Sequence, residues 1–546
     1  MAPLDPPVEH HMERRARFEG LLATPVSAGV LALGAVAAIA IWTGAWDAMQ
    51  RPLWLDEIVS QLIANAPNGI LHAMRSGADF QPPPHYALVR LAAAIAGDAT
   101  TVTARLPSLI AAALSVVVLT AALRRSLSLA ASLAGALALA AHPLFLSQAF
   151  EARPYALWIL ATALLAESLR ERGAAGAWFA AGAAVALCTV HYFGLLSLAA
   201  VGLAAVPHPR VGRAVPWPAI ARSVAPLAAG GVALLALLPL ASEQLAATGG
   251  RSWVPPATGQ AISAFLLFPW GWRPAALLIA AGALAIAVQH VPAVATRWPR
   301  PRQRTVDITV AALLATALVP LLVVLLSITY KPVLVLRYSA PAALAVATLC
   351  ALAVERLTSP LRWAAVLLLL RATFFSLGSI AAGSRAGAVT VADEVQTVSK
   401  LAARGIPTVS PFRHDAYRTS LLAGGGPGVE WMELSDTLVE RAGAARVEGL
   451  SRDMLLVERD FGRAVRREFA FPKGVTVAQA RALSAVALLR DAAYLAADTI
   501  WFPGWRPCPL SDRLIVYAAP SPPSGPSTSP DCAALRAAVQ DGPIRR

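Results

Sequence analysis

Charge is scarce in this chain: only 14% of its 546 residues are Asp, Glu, Lys or Arg, whereas soluble globular proteins carry about a quarter. That excludes an ordinary soluble domain. Lysine is nearly missing, confined to Lys331, Lys400 and Lys473, so the formal net charge of +14 rests on arginine. The arginines sit between apolar runs and form no continuous patch with interleaved aromatics, so no nucleic-acid partner is expected. No Walker-type or nucleotide-sugar motif occurs. The four cysteines include no CxxC spacing, so zinc and dithiol redox sites find no support. Cys188 and Cys350 lie in apolar segments, while Cys508 and Cys532 lie near the C-terminus, where a bond between them is left open.

What the chain has instead is apolar length. Hydrophobic residues make up 57% of it and the mean hydropathy is +0.58. Apolar stretches recur at 26–43, 106–123, 128–147, 154–169, 174–190, 192–206, 224–241, 274–290, 308–327, 339–354 and 363–381. They predict about eleven transmembrane helices, although several fall short of the ~20 residues that cross a hydrocarbon core. The first stretch follows about two dozen polar residues and no convincing cleavage site, so it is expected to stay as an anchor.

Arginines fall in every second connection: Arg14, Arg15 and Arg17; Arg124 and Arg125; Arg170 and Arg172; Arg210 and Arg213; 297–304; and Arg356 with Arg362. By the positive-inside rule these connections are cytoplasmic. The others are then extracytoplasmic: a long loop over 44–104, and shorter connections around Glu151, around His191, over 243–256 and over 330–337. An odd number of spans leaves the N-terminus inside and the C-terminus outside.

From Ser384 onward hydrophobic density falls, and short β-prone runs such as 454–457 and 514–517 alternate with helix-like stretches such as 395–404. This predicts a small α/β domain. The Pro- and Ser-rich segment 521–531 reads as a flexible linker or disordered tail. The expected organisation is a cytoplasmic tail over 1–25, a membrane domain over 26–383, an extracytoplasmic domain over 384–520 and a tail over 521–546.

The long outer loop opens with Trp54-Leu55-Asp56-Glu57, followed by Ile58, Leu62 and Ile63 at amphipathic spacing, as in a helix lying on the membrane surface. Two adjacent carboxylates there could be interfacial solvation or could serve proton transfer. Transfer of a sugar from a lipid phosphate needs a carboxylate to take the acceptor's proton and cations to neutralise the departing phosphate. Arg105, Arg153 and Arg337 each lie at the outer end of a span, where arginines also serve as snorkelling anchors. His85 and His191, also outside, could ligate a divalent metal with carboxylates, though without ligand spacing. Arg371, inside the last apolar run, is ambiguous.

Taken in order, Trp54-Leu55-Asp56-Glu57, Pro82-Pro83 with Tyr86, Arg105-Leu106-Pro107-Ser108, Glu151-Ala152-Arg153-Pro154-Tyr155, His191-Tyr192 and Arg337-Tyr338 with Pro341 resemble the membrane-embedded GT-C glycosyltransferases of the protein O-mannosyltransferase and aminoarabinose-transferase type (glycosyltransferase family 39-like). The resemblance spans roughly residues 30–355. It implies Asp56 as catalytic base, Glu57 as a supporting or metal-related carboxylate, and Arg105, Arg153, Arg337 and Tyr338 as the donor phosphate pocket. Glu151, Tyr86, His85 and His191 are possible supporting residues. Where the family often reads His-Pro-Pro-x-Tyr-Tyr, Gln81 takes the His place and His85 the first Tyr place, which weakens a metal role for either.

The resemblance implies a lipid-phosphate-sugar-dependent hexosyl- or pentosyltransferase that moves a monosaccharide from a polyprenyl-phosphate donor to an envelope glycan, lipid or protein on the outer side. A divalent metal ion is the one cofactor this admits; membrane lipid is the other partner. Two other classes share some of these features: a multi-pass transporter or lipid flippase, for which matching inverted repeats are missing, and a non-catalytic envelope scaffold.

Overall fold

The computed structural model describes residues 24–171, 173–206, 217–247, 254, 256–289 and 307–410, and in the C-terminal part 430–433, 474–476, 479–480, 483, 485–489, 505–510, 514–518 and 531–540. Arg14, Arg15, Arg17, Arg172, Arg210, Arg213, the arginines of 297–304, the expected strand over 454–457 and nearly all of the tail over 521–531 lie outside the described residues.

The membrane part is helical: α1 (Pro25–Thr43), α2 (Asp47–Gln50), α3 (Leu55–Ala64), α4 (Ile70–Arg75), α5 (Pro84–Ala96), α6 (Thr101–Arg124), α7 (Leu129–Ala141), α8 (Pro143–Ala149), α9 (Tyr155–Ser168), α10 (Ala174–Val190), α11 (Gly194–Ala205), α12 (Trp217–Ala247), α13 (Gly259–Leu267), α14 (Arg273–Gln289), α15 (Ile308–Ala315), α16 (Val319–Thr329), α17 (Ala342–Glu355) and α18 (Ser359–Ala402). Every expected apolar stretch falls on a helix. Among the described residues, five helical segments are long and apolar enough to cross a membrane, or six if the bent pair α7–α8 forms one span; five more apolar helices are shorter.

Helix α7 is the centre of the bundle. Its sequence is almost entirely Ala and Leu, and it packs against α6, α17 and α18. A methyl group on Gly135 would meet Leu123 at 2.6 Å and Ala351 at 3.1 Å, the close backbone approach that small residues allow between membrane helices. Lipid-directed faces show the opposite pattern, with Ile41, Trp42 and Trp178 exposed.

At His142-Pro143 the chain bends by 65°. Proline has no N–H to continue the ladder and disfavours the helical region for the residue before it. His142 then acts as N-cap of α8: its Nδ1 accepts the Leu144 N–H at 3.2 Å, and its Nε2 bonds the Pro269 carbonyl at 2.9 Å. The bend turns α8 across the bundle, where broken backbone is tolerated because it lines a cavity.

The outer loop folds on itself as α2 to α5. The apolar face of α3 does not face lipid, as its amphipathic spacing suggested. Ile58 and Ile63 are fully buried against Met74, Tyr86 and Val89, because the loop supplies enough apolar area of its own to cover them.

The two ends of the bundle carry different charged groups. At one end Arg125 pairs with Glu167, Arg170 with Asp307 at 2.7 Å, and Arg362 with Glu355 at 3.4 Å, while Ser128 caps onto Glu355. At the other end lie α3, Arg105, Arg153 and Arg337.

Beyond the bundle, β1 (Thr408–Ser410), β2 (Glu430–Glu433), β3 (Gly474–Thr476), β4 (Ala485–Leu489), β5 (Arg506–Pro509) and β6 (Leu514–Ala518) form a sheet in the order β3-β2-β1-β4-β6-β5. Strands β3, β2, β1 and β4 run parallel, while β6 is antiparallel to both β4 and β5. Strand β6 covers the expected run 514–517. Cys508 and Cys532 are bonded, tying β5 to α19 (Cys532–Gln540). The 383/384 boundary falls inside α18, which continues unbroken and delivers Val398 and Leu401 to the core of the sheet.

Candidate active site

Two adjacent carboxylates at the start of α3 point in different directions, because successive helix residues are about 100° apart. Glu57 faces inward and is fully buried. Its Oε1 accepts from Arg105 Nε at 2.7 Å and from the Ala152 N–H at 2.8 Å; its Oε2 accepts from Arg105 Nη2 at 2.6 Å and from the Trp54 N–H at 3.1 Å. The last bond is half of a capping box, fixing where α3 begins. Arg105 spends its remaining donors on the carbonyls of Ala48, Met49, Arg51 and Pro52. It is therefore not positioned as the expected phosphate ligand: burial and saturation with protein acceptors leave no N–H for an outside anion.

Asp56 faces outward. Its Oδ2 lies 2.9 Å from Arg337 Nη2 and 3.8 Å from Arg153 Nη2. Arg337, in a short 3-10 turn over Leu336–Ser339, is held over the rings of Trp54 and Tyr155 at 5.3 and 5.7 Å, geometry that favours a guanidinium. Its neighbour Tyr338 packs among aromatics, with Phe193 at 4.7 Å and His191 at 5.9 Å between ring centroids.

Arg153 joins Asp56 to a second carboxylate, Asp79. Arg153 Nη1 donates to Asp79 Oδ2, to Ser60 Oγ at 3.2 Å and to the Asp56 carbonyl at 3.3 Å, while Nη2 reaches Asp79 Oδ1 at 3.4 Å. Tyr86 donates its hydroxyl to Asp79 at 2.8 Å. Burial pushes the Asp79 pKa up, but the charge and hydrogen bonds of Arg153, with the Tyr86 bond, bring it below the ordinary value. Burial likewise works against the charge of Arg153, and Asp79 and Asp56 more than restore it. Sequence reasoning passed over Asp79; its one signal is a lone carboxylate just ahead of the Pro82-Pro83-Pro84 run.

Glu151 sits beside this cluster. Burial and the nearby charge of Glu57 push its pKa up to about 7, against the opposing effect of Arg51 and Arg337. It lines a cavity of about 580 Å³ together with Trp54, Arg337 and the inner face of α8. A second cavity of about 400 Å³ shares Pro143 and Phe268 with the first and reaches Trp272 and Arg273.

The two histidines have structural surroundings. His191 stacks on Trp158 at 4.5 Å and accepts the Phe193 N–H on Nδ1; burial, reinforced by Arg153 and Arg337, pushes its pKa down to about 3. His85 is fully buried against Tyr86, and burial takes it down to about 4. Both are neutral, but among the described residues no three His, Cys, Asp or Glu side chains gather as a metal donor set. Arg371 lies over the Phe375 ring at 5.3 Å, away from this cluster on α18.

Comparison with known proteins bears on this arrangement. Residues 80–242 match the family described as dolichyl-phosphate-mannose-protein mannosyltransferase, a segment that contains Arg105, Arg153 and His191. Among solved structures, the chain is similar to ArnT from Cupriavidus metallidurans in the apo state, with a TM-score of 0.50, 14% identity, and coverage of 89% of this chain and 98% of that one. The fold is thus ArnT-like, with the mannosyltransferase family match confined to residues 80–242. The same ArnT bound to undecaprenyl phosphate gives a TM-score of 0.48 at 14% identity, covering 90% of this chain and 98% of that one. No curated protein sequence matches. The chain is a multi-pass membrane protein with a mostly helical fold and a small C-terminal sheet.

Proposed function

We propose that the chain is a GT-C glycosyltransferase that transfers a monosaccharide from a polyprenyl-phosphate donor to an envelope acceptor on the extracytoplasmic face. The observation that carries the reading is Arg337, which lines a cavity of otherwise largely apolar walls and pairs with Asp56, itself 3.8 Å from Arg153. A lipid phosphate needs cations beside an apolar channel, and an acceptor needs a base beside the anomeric carbon. The match to dolichyl-phosphate-mannose enzymes supports that donor class, and the ArnT structure carries undecaprenyl phosphate.

Asp56 takes the proton of an acceptor hydroxyl or amine. The acceptor attacks the anomeric carbon with inversion, and the sugar–oxygen bond breaks with its electron pair going to the phosphate oxygen. Arg337 and Arg153 neutralise the charge that develops there. Tyr338, packed beside Arg337, keeps water from that side. Asp79 and Tyr86 orient Arg153, and Glu57 with Arg105 fix the start of α3.

The outer location is supported by the Cys508–Cys532 bond, which persists in oxidising compartments. It is also supported by the arginines of the opposite bundle end, which the positive-inside rule places in the cytoplasm. The testing experiment is sugar transfer by purified protein in nanodiscs from a panel of polyprenyl-phosphate monosaccharides, comparing wild type with Asp56→Asn. Turnover that falls by roughly 10²- to 10⁴-fold in the folded variant supports the reading; turnover with no donor, or an indifferent variant, rejects it.

A further inference from the structure

The bend at His142-Pro143 gives the first cavity a wall with an unusual pattern. Leu144, Ser147 and Gln148 follow one another at i, i+3 and i+4, the spacing of a single helical face, and with Glu151, just past the end of α8, all line the cavity. The strip runs from apolar residues at Pro143 and Leu144 to Glu151 beside Arg337. Facing it are Leu334, Val335, Leu336, Val254 and Phe268, none of which has a polar side chain.

Gln148 is the exception that needs explaining. Its side chain is only 4% exposed. Its Nε2 donates to Ser147 Oγ at 2.9 Å, while its Oε1 is buried with no hydrogen-bond partner among the described residues. Turning the amide over would exchange the two atoms and still leave one without a protein partner. A buried amide group left without a bond is unfavourable, so a hydrocarbon chain is a poor occupant for this wall. A group rich in hydroxyls is a good one.

We propose that Gln148, with Ser147 and Glu151 along the same wall, is the surface that reads the hydroxyls of the donor sugar. Resting on the donor reading above, this makes the strip a specificity determinant: Arg337 and Arg153 hold the phosphate, the Pro143–Phe268 side takes the isoprenoid chain, and Gln148 bonds the monosaccharide. Its contribution depends on the sugar being present on the lipid.

The test uses full-length protein in nanodiscs, with undecaprenyl phosphate as a sugar-free probe and the same lipid carrying mannose, glucose or arabinose. Wild type, Gln148→Leu and Gln148→Asn are compared for the KM of the donor that wild type uses, for competitive inhibition by the sugar-free lipid, and for thermal midpoint. The expected result for Gln148→Leu is a KM raised roughly tenfold, the scale of one lost hydrogen bond, with inhibition by the sugar-free lipid unchanged. Gln148→Asn, which keeps the amide on a shorter stem, falls between. Equal weakening toward both lipids, or no change toward either, overturns the assignment of Gln148 while leaving the donor reading intact. Failure of wild type to use any glycosylated lipid overturns both. If the Leu variant does not fold, the Asn variant gives the same discrimination between the two lipids.

Discussion

The guanidinium of Arg105 grips the carboxylate of Glu57 through two hydrogen bonds of 2.7 and 2.6 Å, with both side chains wholly out of solvent. Such a pair contributes little relative to apolar groups of the same shape, yet removing one partner strands the other charge in a dry interior, at about 3–5 kcal/mol. Arg105→Met and Glu57→Gln are each expected to lower the thermal midpoint sharply and to abolish turnover through loss of folded protein. The double variant Glu57→Leu/Arg105→Met is expected to recover part of the midpoint, as thermal unfolding in detergent would show.

Asp79 holds Arg153 through both of its terminal nitrogens. Asp79→Asn keeps the shape but removes the charge, and is expected to reduce kcat/KM by about 10- to 100-fold with the protein still folded, since loss of alignment at a reacting centre has that scale. Tyr86→Phe removes one bond to Asp79 and is expected to cost less than tenfold. Steady-state kinetics of the two variants, taken together with their midpoints, separates the effects.

Glu151 sets a pH dependence. Its folded pKa of about 7 lies above the ordinary value of 4.5, so the folded state binds the proton more tightly than the unfolded one. The stability associated with that proton is fully present below about pH 4.5 and is lost as pH rises through 7. In Glu151→Gln this loss disappears: the variant is expected to match wild type at pH 5 and to exceed it in midpoint at pH 8. Thermal scans across that window check the sign.

The Cys508–Cys532 bond closes a loop with a sequence separation of 24. A loop of that size is worth about 3 kcal/mol in chain entropy. Cys508→Ser, or reduction, is expected to lower the unfolding transition of the C-terminal sheet while leaving that of the helical bundle in place. Limited proteolysis with and without reductant would separate the two transitions.

Much of the bundle was legible because apolar length is a strong signal: each expected stretch fell on a helix. The bend within 128–147 was hidden in a continuous apolar run, although His142-Pro143 carries the chemistry that makes it. The adjacency of Asp56 and Glu57 showed that carboxylates stood at the loop, but adjacency alone does not tell which one a helix turns inward. That took the partner, Arg105, 48 residues later in sequence and visible as a partner only in three dimensions. Asp79 and Gln148 had no pattern of their own; a lone carboxylate in a loop and a glutamine in an apolar helix acquire meaning only from what the fold sets opposite them. The apolar spacing of α3 was read correctly as an amphipathic helix and assigned to the wrong solvent, since the loop's own helices cover it.

Helix α18 has a consequence of its own. Its 44 residues amount to a rod of about 66 Å at 1.5 Å per residue, entering from the bundle with no proline after its first turn and ending at Ala402, one short turn before β1. An intact rod transmits tilt as well as position. A load applied to the sheet would therefore be felt at Asp47, which pairs with Arg385 on the same helix at 2.7 Å, eight residues before Leu55 begins the turn that carries Asp56.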